Sequence, residues 1–185
     1  MSCRFCNNKN LNPFIDLGSA PPSNAYLSEL DLKKPERWFP LKVNVCSQCF
    51  LVQTDDYTNA SDLFDENYAY FSSFSKTMLN HSKNYVEKVL KKFLLNKESH
   101  VVEIAANDGY LLQYFKEKGI PCLGIEPTAS TAAAARDKGI EIIEEFFGVS
   151  LAKKLIDKKR SADLVVANNV LAHVPDISDF VKGVS

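Results

Sequence analysis

The carboxyl-terminal half of the chain alternates apolar runs with segments in which apolar residues recur at helical spacing. The runs VVEIAA, PCLGIEP, IEIIEEFF and ADLVVANNV predict four strands. The segments YLLQYFKEKG, STAAAARDKG and SLAKKLIDKK lie between them and predict helices, two of which end at a glycine. Strands and helices that alternate through short connections indicate an α/β fold with a parallel, Rossmann-like sheet.

The amino-terminal part follows a different pattern. Residues 1–55 contain the glycine- and proline-bearing stretches DLGSAPPSNAYL and KKPERWFPLKV, which predict loops and short strands rather than helices. In residues 56–98, apolar positions such as Met78, Tyr85 and Val89 recur at helical spacing and predict one or two connecting helices. We therefore expect a small module (1–55), a helical connector (56–98) and a sheet domain (99–185).

Composition and charge narrow the class of protein. The 185 residues are 45% hydrophobic, which suffices for one core and a small satellite module. No apolar run approaches 20 residues and no secretory signal opens the chain, so we expect a cytoplasmic protein without a membrane span. The net charge of -1 argues against a broad nucleic-acid-binding surface.

Four of the five cysteines form two C-x2-C pairs, Cys3 with Cys6 and Cys46 with Cys49. Each pair places two thiolates on one turn, and two such turns complete a tetrahedral zinc site with no open position. The alternative is a redox pair, which requires one C-x2-C at the start of a helix in a βαβ unit. The sequence favours structural zinc, and Cys122 is predicted to be a buried strand residue.

The turn after the first predicted strand, AANDGY, is placed where such sheets bind ligands but contains a single glycine. Asn107 and Asp108 tolerate a left-handed backbone, and Gly109 adopts it freely, so the turn can still be tight. It lacks the three glycines that accommodate a pyrophosphate. This favours a ligand with a zwitterionic amino-acid end, such as S-adenosylmethionine. Its ammonium could donate a hydrogen bond to Asp108 or Asn107.

Acidic and aromatic residues at the strand ends extend the candidate cofactor site. Glu126 follows the second strand, 23 residues after Glu103 in the first, close to the spacing of an acidic residue that binds ribose hydroxyls. We place both in the site, although Glu126 could instead be an exposed strand-end carboxylate. Phe146, at the end of the third strand, could border an adenine or could equally belong to the core.

The order of motifs along nearly the whole chain resembles the sugar C-methyltransferases of deoxysugar and related nucleotide-sugar biosynthesis. The resemblance rests on CRFC, DLGSAPPSNAYL, CSQC, YAYFSSFSKT, EIAANDGYLL, GIEP, EEFFG and NNVLAHVPD, in this order. In that family a zinc-binding domain precedes a class I methyltransferase core. The resemblance implies transfer of a methyl group from S-adenosylmethionine to a carbon of a keto nucleotide-sugar.

The resemblance also implies roles for particular residues. The candidate catalytic residues are Tyr68, Tyr70 and His173, for which packing, or for the histidine a capping role, is the alternative. The residues implied beside the cofactor are Ser73, Asn107, Asp108, Gly109, Glu126, Asn168 and Asn169, the last two where the fourth strand opens towards the methyl group.

By the same resemblance, the family continues beyond residue 185 with the remaining strands and a histidine and an acidic residue of the catalytic machinery. Methylation of a sugar carbon requires a base that removes a proton beside a keto group. We therefore expect a partial core that transfers methyl groups poorly and self-associates through an unpaired sheet edge. The alternative functions are a cofactor-binding protein without catalysis and a zinc-module adaptor, against which the dispersed basic residues of 1–55 argue.

Overall fold

The computed structural model describes residues 2–23, 26–55, 57–60, 64 and 68–185. The chain divides into two compact units. The first comprises Met1–Ala69 with Pro175–Ser178, and the second comprises Tyr70–Val174 with Asp179–Ser185. No helix in the described ranges is both long enough and apolar enough to cross a bilayer.

The first unit contains an antiparallel sheet of three strands within its described residues. These strands are β1 (Leu11–Ala20), β2 (Phe39–Cys46) and β3 (Val52–Thr54), in the order β1-β2-β3. β1 pairs with β2 from Leu11 opposite Cys46 to Ala20 opposite Phe39, with two irregularities in register. The prediction of strands and loops is confirmed, but β1 is longer than the short strands that we expected.

Helix α1 (Lys76–Phe93) is the first described α-helix of the second unit and follows a 3-10 helix at Ser72–Phe74. The Ser75 side chain caps it by accepting a hydrogen bond from the backbone N–H of Met78 at 3.2 Å. The predicted helical face is confirmed at Val89, which is buried, and at Tyr85, which packs against the same core. A second connecting helix cannot be assigned from the structure, because residues 61–63 and 65–67 lie outside the described part of the chain.

The second unit is built on a parallel sheet. Its strands are β4 (Val101–Ile104), β5 (Cys122–Ile125), β6 (Glu141–Ile143) and β7 (Leu164–Val166). They lie in the order β6-β5-β4-β7, so the chain progresses from β4 to β6 and then returns to the other side of β4. The carboxyl ends of β4 and β7 therefore form the switch point at which such sheets bind ligands.

Helices connect the strands as predicted, and α5 follows the last strand. They are α2 (Leu112–Glu117), α3 (Ala129–Asp137), α4 (Val149–Asp157) and α5 (Ile177–Val184). Buried clusters cover both faces of the sheet, one around Val101 and Phe115 and one around Val102 and Leu123. The α/β prediction is thereby confirmed. Cys122, predicted to be buried, is half-buried at the first position of β5.

Candidate functional site

The four paired cysteines come together in the first unit. Their sulfur atoms all lie within 4.8 Å of one another, with Sγ of Cys3 3.5 Å from that of Cys49 and Sγ of Cys6 3.5 Å from that of Cys46. A disulfide would require about 2.05 Å, and these cysteines are free. Zinc–sulfur bonds of about 2.3 Å in a tetrahedron separate the sulfurs by about 3.8 Å, which fits this cluster.

The two cysteine turns have the same local design. In the first, the N–H of Cys3 donates to the carbonyl of Asn8 at 2.8 Å, and the N–H of Asn7 donates to the carbonyl of Cys3 at 2.9 Å. Asn7 has a left-handed backbone, with φ 60°. The equivalent hydrogen bonds and left-handed residue of the second turn involve Cys46, Phe50 and Leu51. Each turn therefore presents two sulfurs to one point.

The surroundings of Cys46 favour its thiolate. The backbone N–H of Cys49, and secondarily that of Gln48, hold the pKa of Cys46 down at about 6, although burial opposes this. Cys3 and Cys46 are fully buried, and Cys6 and Cys49 are half-buried. Four sulfur ligands leave no open coordination position, so this is a structural zinc site.

The turn after β4 has a left-handed backbone at three alternating residues, namely Ala105 (φ 57°), Asn107 (φ 50°) and Gly109 (φ 73°). Asp108, which we expected to tolerate this conformation, does not adopt it, and Ala105 does so in its place. Gly109 has a left-handed backbone that disfavours a side chain, and an added Cβ would also lie 3.2 Å from Cβ of Ala135, so glycine is favoured there. The turn thus takes the shape of a glycine-rich turn with a single glycine.

Asn107 connects the turn to the end of β5 and to residues 70–75, which we call the 70–75 segment. Its backbone N–H donates to Oε2 of Glu126 at 2.9 Å. Its side-chain Oδ1 accepts from the N–H of Ser72 at 2.8 Å, and its Nδ2 donates to the carbonyl of Tyr70 at 3.0 Å. One residue therefore holds three parts of the candidate site together.

Asp108 is 2% exposed and binds the same segment through one carboxylate oxygen. Oδ2 accepts from the hydroxyl of Ser73, from the N–H of Ser73 at 3.3 Å and from Nζ of Lys138 at 3.2 Å. Among the described residues, the other oxygen, Oδ1, is buried without a hydrogen-bond partner. Asp108 therefore retains one free acceptor at the strand-end turn.

Glu126 is 5% exposed, so it is not the exposed strand-end carboxylate of the alternative interpretation. Its Oε1 accepts from the N–H of Thr128 at 2.9 Å, and its Oε2 accepts from the N–H of Asn107. Each carboxylate oxygen can accept a second hydrogen bond. Glu126 is thus fixed by the backbone and keeps acceptor capacity.

Glu103 lies in the middle of the sheet and is completely buried. Burial first, and then the negative charges of Glu126 and Asp108, hold its pKa well above the usual range. The Tyr110 hydroxyl acts in the opposite direction, but neither Glu103 oxygen has a partner in hydrogen-bond geometry among the described residues. Buried carboxyl oxygens without a hydrogen-bond donor suit a ligand that is cationic or donates hydrogen bonds.

Tyr110 is a residue of this region that the sequence reasoning missed. It is 7% exposed, and burial followed by the charge of Glu103 raises the pKa of its hydroxyl, while Asn168 opposes this shift. The signal available in the sequence was an aromatic residue directly after Gly109.

The remaining predicted site residues occupy varied positions. Asn168 and Asn169 are exposed just beyond β7, and His173 is exposed at the end of a short 3-10 helix. Phe146 is about half-exposed after β6, and the neighbouring Phe147 packs in the core instead. Tyr70 is exposed in the second unit, and Tyr68 is half-buried in the first unit. The structure therefore gathers Ser73, Glu103, Asn107, Asp108 and Glu126, and the backbone carbonyl of Tyr70 joins them through Asn107.

Known proteins resemble the chain over different extents. C-methyltransferase NovU from Streptomyces niveus is 29% identical over 183 residues, which are 99% of this chain and 43% of the relative. The chain therefore spans less than half the length of that relative. A SAM dependent methyltransferase from Archaeoglobus fulgidus is 21% identical over 50% of this chain and 41% of its own, with a TM-score of 0.39. YjhP from E. coli is 16% identical over 48% of this chain and 29% of its own, with a TM-score of 0.27.

Two protein families match consecutive parts of the chain. Residues 3–64, which include all four clustered cysteines, match the family described as a "putative zinc binding domain". Residues 78–184, which include the parallel sheet and its strand-end turn, match the family described as a methyltransferase domain. Because this second match covers more than half of the 185 residues, the chain belongs to the methyltransferase-domain family.

Proposed function

We propose that the chain is the cofactor-binding part of an S-adenosylmethionine-dependent C-methyltransferase that acts on a keto nucleotide-sugar. The observation that carries the proposal is a set of buried carboxylate oxygens without a hydrogen-bond partner among the described residues, two on Glu103 in β4 and one on Asp108 in the turn that follows. S-adenosylmethionine carries an ammonium and a sulfonium, which match such acceptors. The similarity to a C-methyltransferase supports a carbon acceptor, and the order of motifs that resembles the sugar C-methyltransferases supports a sugar as the substrate.

In this proposal the turn and the strand ends hold the cofactor. Asp108 and Glu103 accept from the methionine ammonium, and Glu126 accepts from the ribose hydroxyls. Backbone N–H groups of the turn around Asn107 and Gly109 bind the carboxylate. The residues proposed around the rest of the cofactor are Ser73, Phe146, Asn168 and Asn169.

The bound cofactor would supply an electrophilic methyl group on sulfur. The protein must orient the acceptor carbon towards it and remove a proton beside the keto group, since only the resulting enolate is nucleophilic. Tyr68, Tyr70 and His173 are the candidates within this chain for holding or moving that proton. Thiolate ligation of zinc needs reduced cysteines, so we propose a cytoplasmic location.

Binding of S-adenosylhomocysteine to the 185-residue chain tests the cofactor assignment. At about 100 times its Kd it should stabilise the fold by roughly 2.7 kcal/mol. Glu126→Ala should remove most of the resulting rise in Tm, whereas Glu98→Ala, at an exposed glutamate, should not. Because Glu126 also accepts two backbone hydrogen bonds, Glu126→Gln, which retains one acceptor, should be titrated in parallel. No binding by the parent chain would overturn the proposed function.

A further inference from the structure

Lys138 follows helix α3 and reaches the turn after β4 with a single ammonium group. Its Nζ donates to the backbone carbonyl of Asp108 and to Oδ2 of the same residue at 3.2 Å. It also lies 3.4 Å from Oγ of Ser73. The Lys138 side chain is only 30% exposed, so this cation is partly withdrawn from water. It therefore contacts the turn and the 70–75 segment together.

The position of the 70–75 segment depends on side chains of the turn. The N–H groups of Ser72 and Ser73 donate to Oδ1 of Asn107 and to Oδ2 of Asp108. Such acceptors can rotate, unlike the backbone carbonyls of a strand ladder. Lys138 and Ser73 both bind Oδ2 of Asp108, which fixes the carboxylate and leaves Oδ1 without a hydrogen-bond partner among the residues that the structure describes.

We propose that Lys138 is a positioning residue for the cofactor site, an inference that rests on the function proposed above. Its ammonium fixes the Asp108 carboxylate so that Oδ2 anchors the 70–75 segment and Oδ1 is reserved for the cofactor. A lysine close to a cation-binding site is tolerable because its charge is paired with Asp108, while the carboxylates of Glu103 and Glu126 remain for the ligand.

Without Lys138 the Asp108 carboxylate would keep Ser73 as its partner but lose its counter-ion. A buried carboxylate in that state reorients towards water or rearranges its neighbours, because an unpaired buried charge is costly. Loss of a hydrogen bond to a charged group weakens an interaction by about tenfold or more. The effect should therefore appear both in cofactor affinity and in the protection of the segment.

The test uses the full 185-residue chain and three variants. Lys138→Met removes the cation, Lys138→Arg retains it, and Lys118→Met is a matched control at an exposed lysine after α2. Calorimetry gives the Kd for S-adenosylhomocysteine, and amide hydrogen exchange gives the protection of Ser73. We expect Lys138→Met to weaken binding about tenfold and to speed exchange at Ser73 while α1 stays protected. Lys138→Arg should restore both, and Lys118→Met should change neither.

The outcomes separate this inference from the proposed function. Unchanged affinity and unchanged exchange in Lys138→Met would overturn the positioning role. Failure of Lys138→Arg to retain the affinity that Lys138→Met loses would also overturn it, since the loss would then not follow the positive charge. A parent chain that binds no S-adenosylhomocysteine would overturn the proposed function and the cofactor part of this inference, and exchange at Ser73 would still decide whether Lys138 fixes the segment.

Discussion

Ala105 holds a left-handed backbone in which its methyl group is unfavourable. That conformation costs an L-residue about 1–2 kcal/mol, and glycine avoids the cost but loses about 0.5–1 kcal/mol of backbone entropy on folding. Ala105→Gly should therefore raise the free energy of unfolding by about 0.5–1 kcal/mol, as measured by urea denaturation of the metal-loaded chain.

Ala106 provides the matched control for this prediction. It is fully buried, and its backbone is not left-handed. Ala106→Gly removes a buried methyl group and adds backbone entropy, so it should lower the free energy of unfolding by about 1 kcal/mol or more. Equal destabilisation by both glycine substitutions would show that Ala105 carries no backbone strain.

Glu103 should make the stability of the cofactor-free chain depend on pH. Its pKa in the folded state lies well above 4.5, its value when unfolded, because of burial and the neighbouring carboxylates. Between these two values the folded state binds more protons, so its contribution to stability falls as pH rises. The stability advantage of Glu103→Gln over the parent chain should therefore increase from pH 5 to pH 8 in urea titrations.

Glu141 should give the opposite sign and serves as the control. Hydrogen bonds from Arg160 at 2.6 and 2.7 Å, and then its charge, lower the pKa of Glu141. This contribution is present above the unfolded pKa and is lost as pH falls. Glu141→Gln should accordingly be less stable than the parent at neutral pH and approach it in acid. If the stability advantage of Glu103→Gln over the parent shrinks as pH rises, the pKa of Glu103 is not raised in the folded state.

Some residues of the candidate site could be predicted from sequence and others could not. Asn107, Asp108 and Glu126 follow strands at positions where parallel sheets bind ligands, so their placement at one edge of the sheet was predictable. A left-handed Ala105 was not, because alanine rarely adopts that conformation. Lys138 was missed because its contacts with Asp108 and Ser73 join residues 30 and 65 positions apart.

At the scale of elements, hydrophobic periodicity located the four strands of the sheet domain and the three helices between them, but it predicted strands longer than those observed. The run IEIIEEFF was predicted as one strand, whereas β6 comprises only Glu141–Ile143. Glu144 and Glu145 leave the ladder and pair with Arg136 and Lys154 instead. Periodicity cannot indicate where such ion pairs interrupt a sheet.

The two cysteine turns should lose their structure together when the metal that they share is removed. Zinc binding supplies folding free energy to a module with few buried apolar residues, so metal content and module structure should be lost together. We expect about one zinc per parent chain by elemental analysis and well under one for Cys46→Ser. Cys122→Ala should retain the zinc, because Cys122 is not part of the cluster. A full complement of zinc in Cys46→Ser would contradict the four-cysteine site.

At the scale of the whole molecule, the sequence pattern predicted two kinds of structure in one chain. The paired cysteines indicated a small metal-binding module, and the alternating strands and helices indicated a sheet domain. The buried hydrophobic clusters belong to only one of these two kinds of structure. Every residue of the two buried hydrophobic clusters, including the partly buried residues packed against them, lies between Leu79 and Phe180. None of the described residues of the first unit is a member of these clusters.

This separation predicts that the cofactor site survives removal of the metal. The turn after β4, the 70–75 segment and Lys138 all belong to the second unit, and the four cysteines belong to the first. A chelator should therefore remove zinc and increase proteolysis within residues 2–55, while the Kd for S-adenosylhomocysteine stays within about threefold, less than one hydrogen bond would change. Calorimetry before and after chelation, with zinc added back as the control, measures this directly. Affinity that disappears with the metal and returns with it would contradict this prediction, because the first unit would then be needed for cofactor binding.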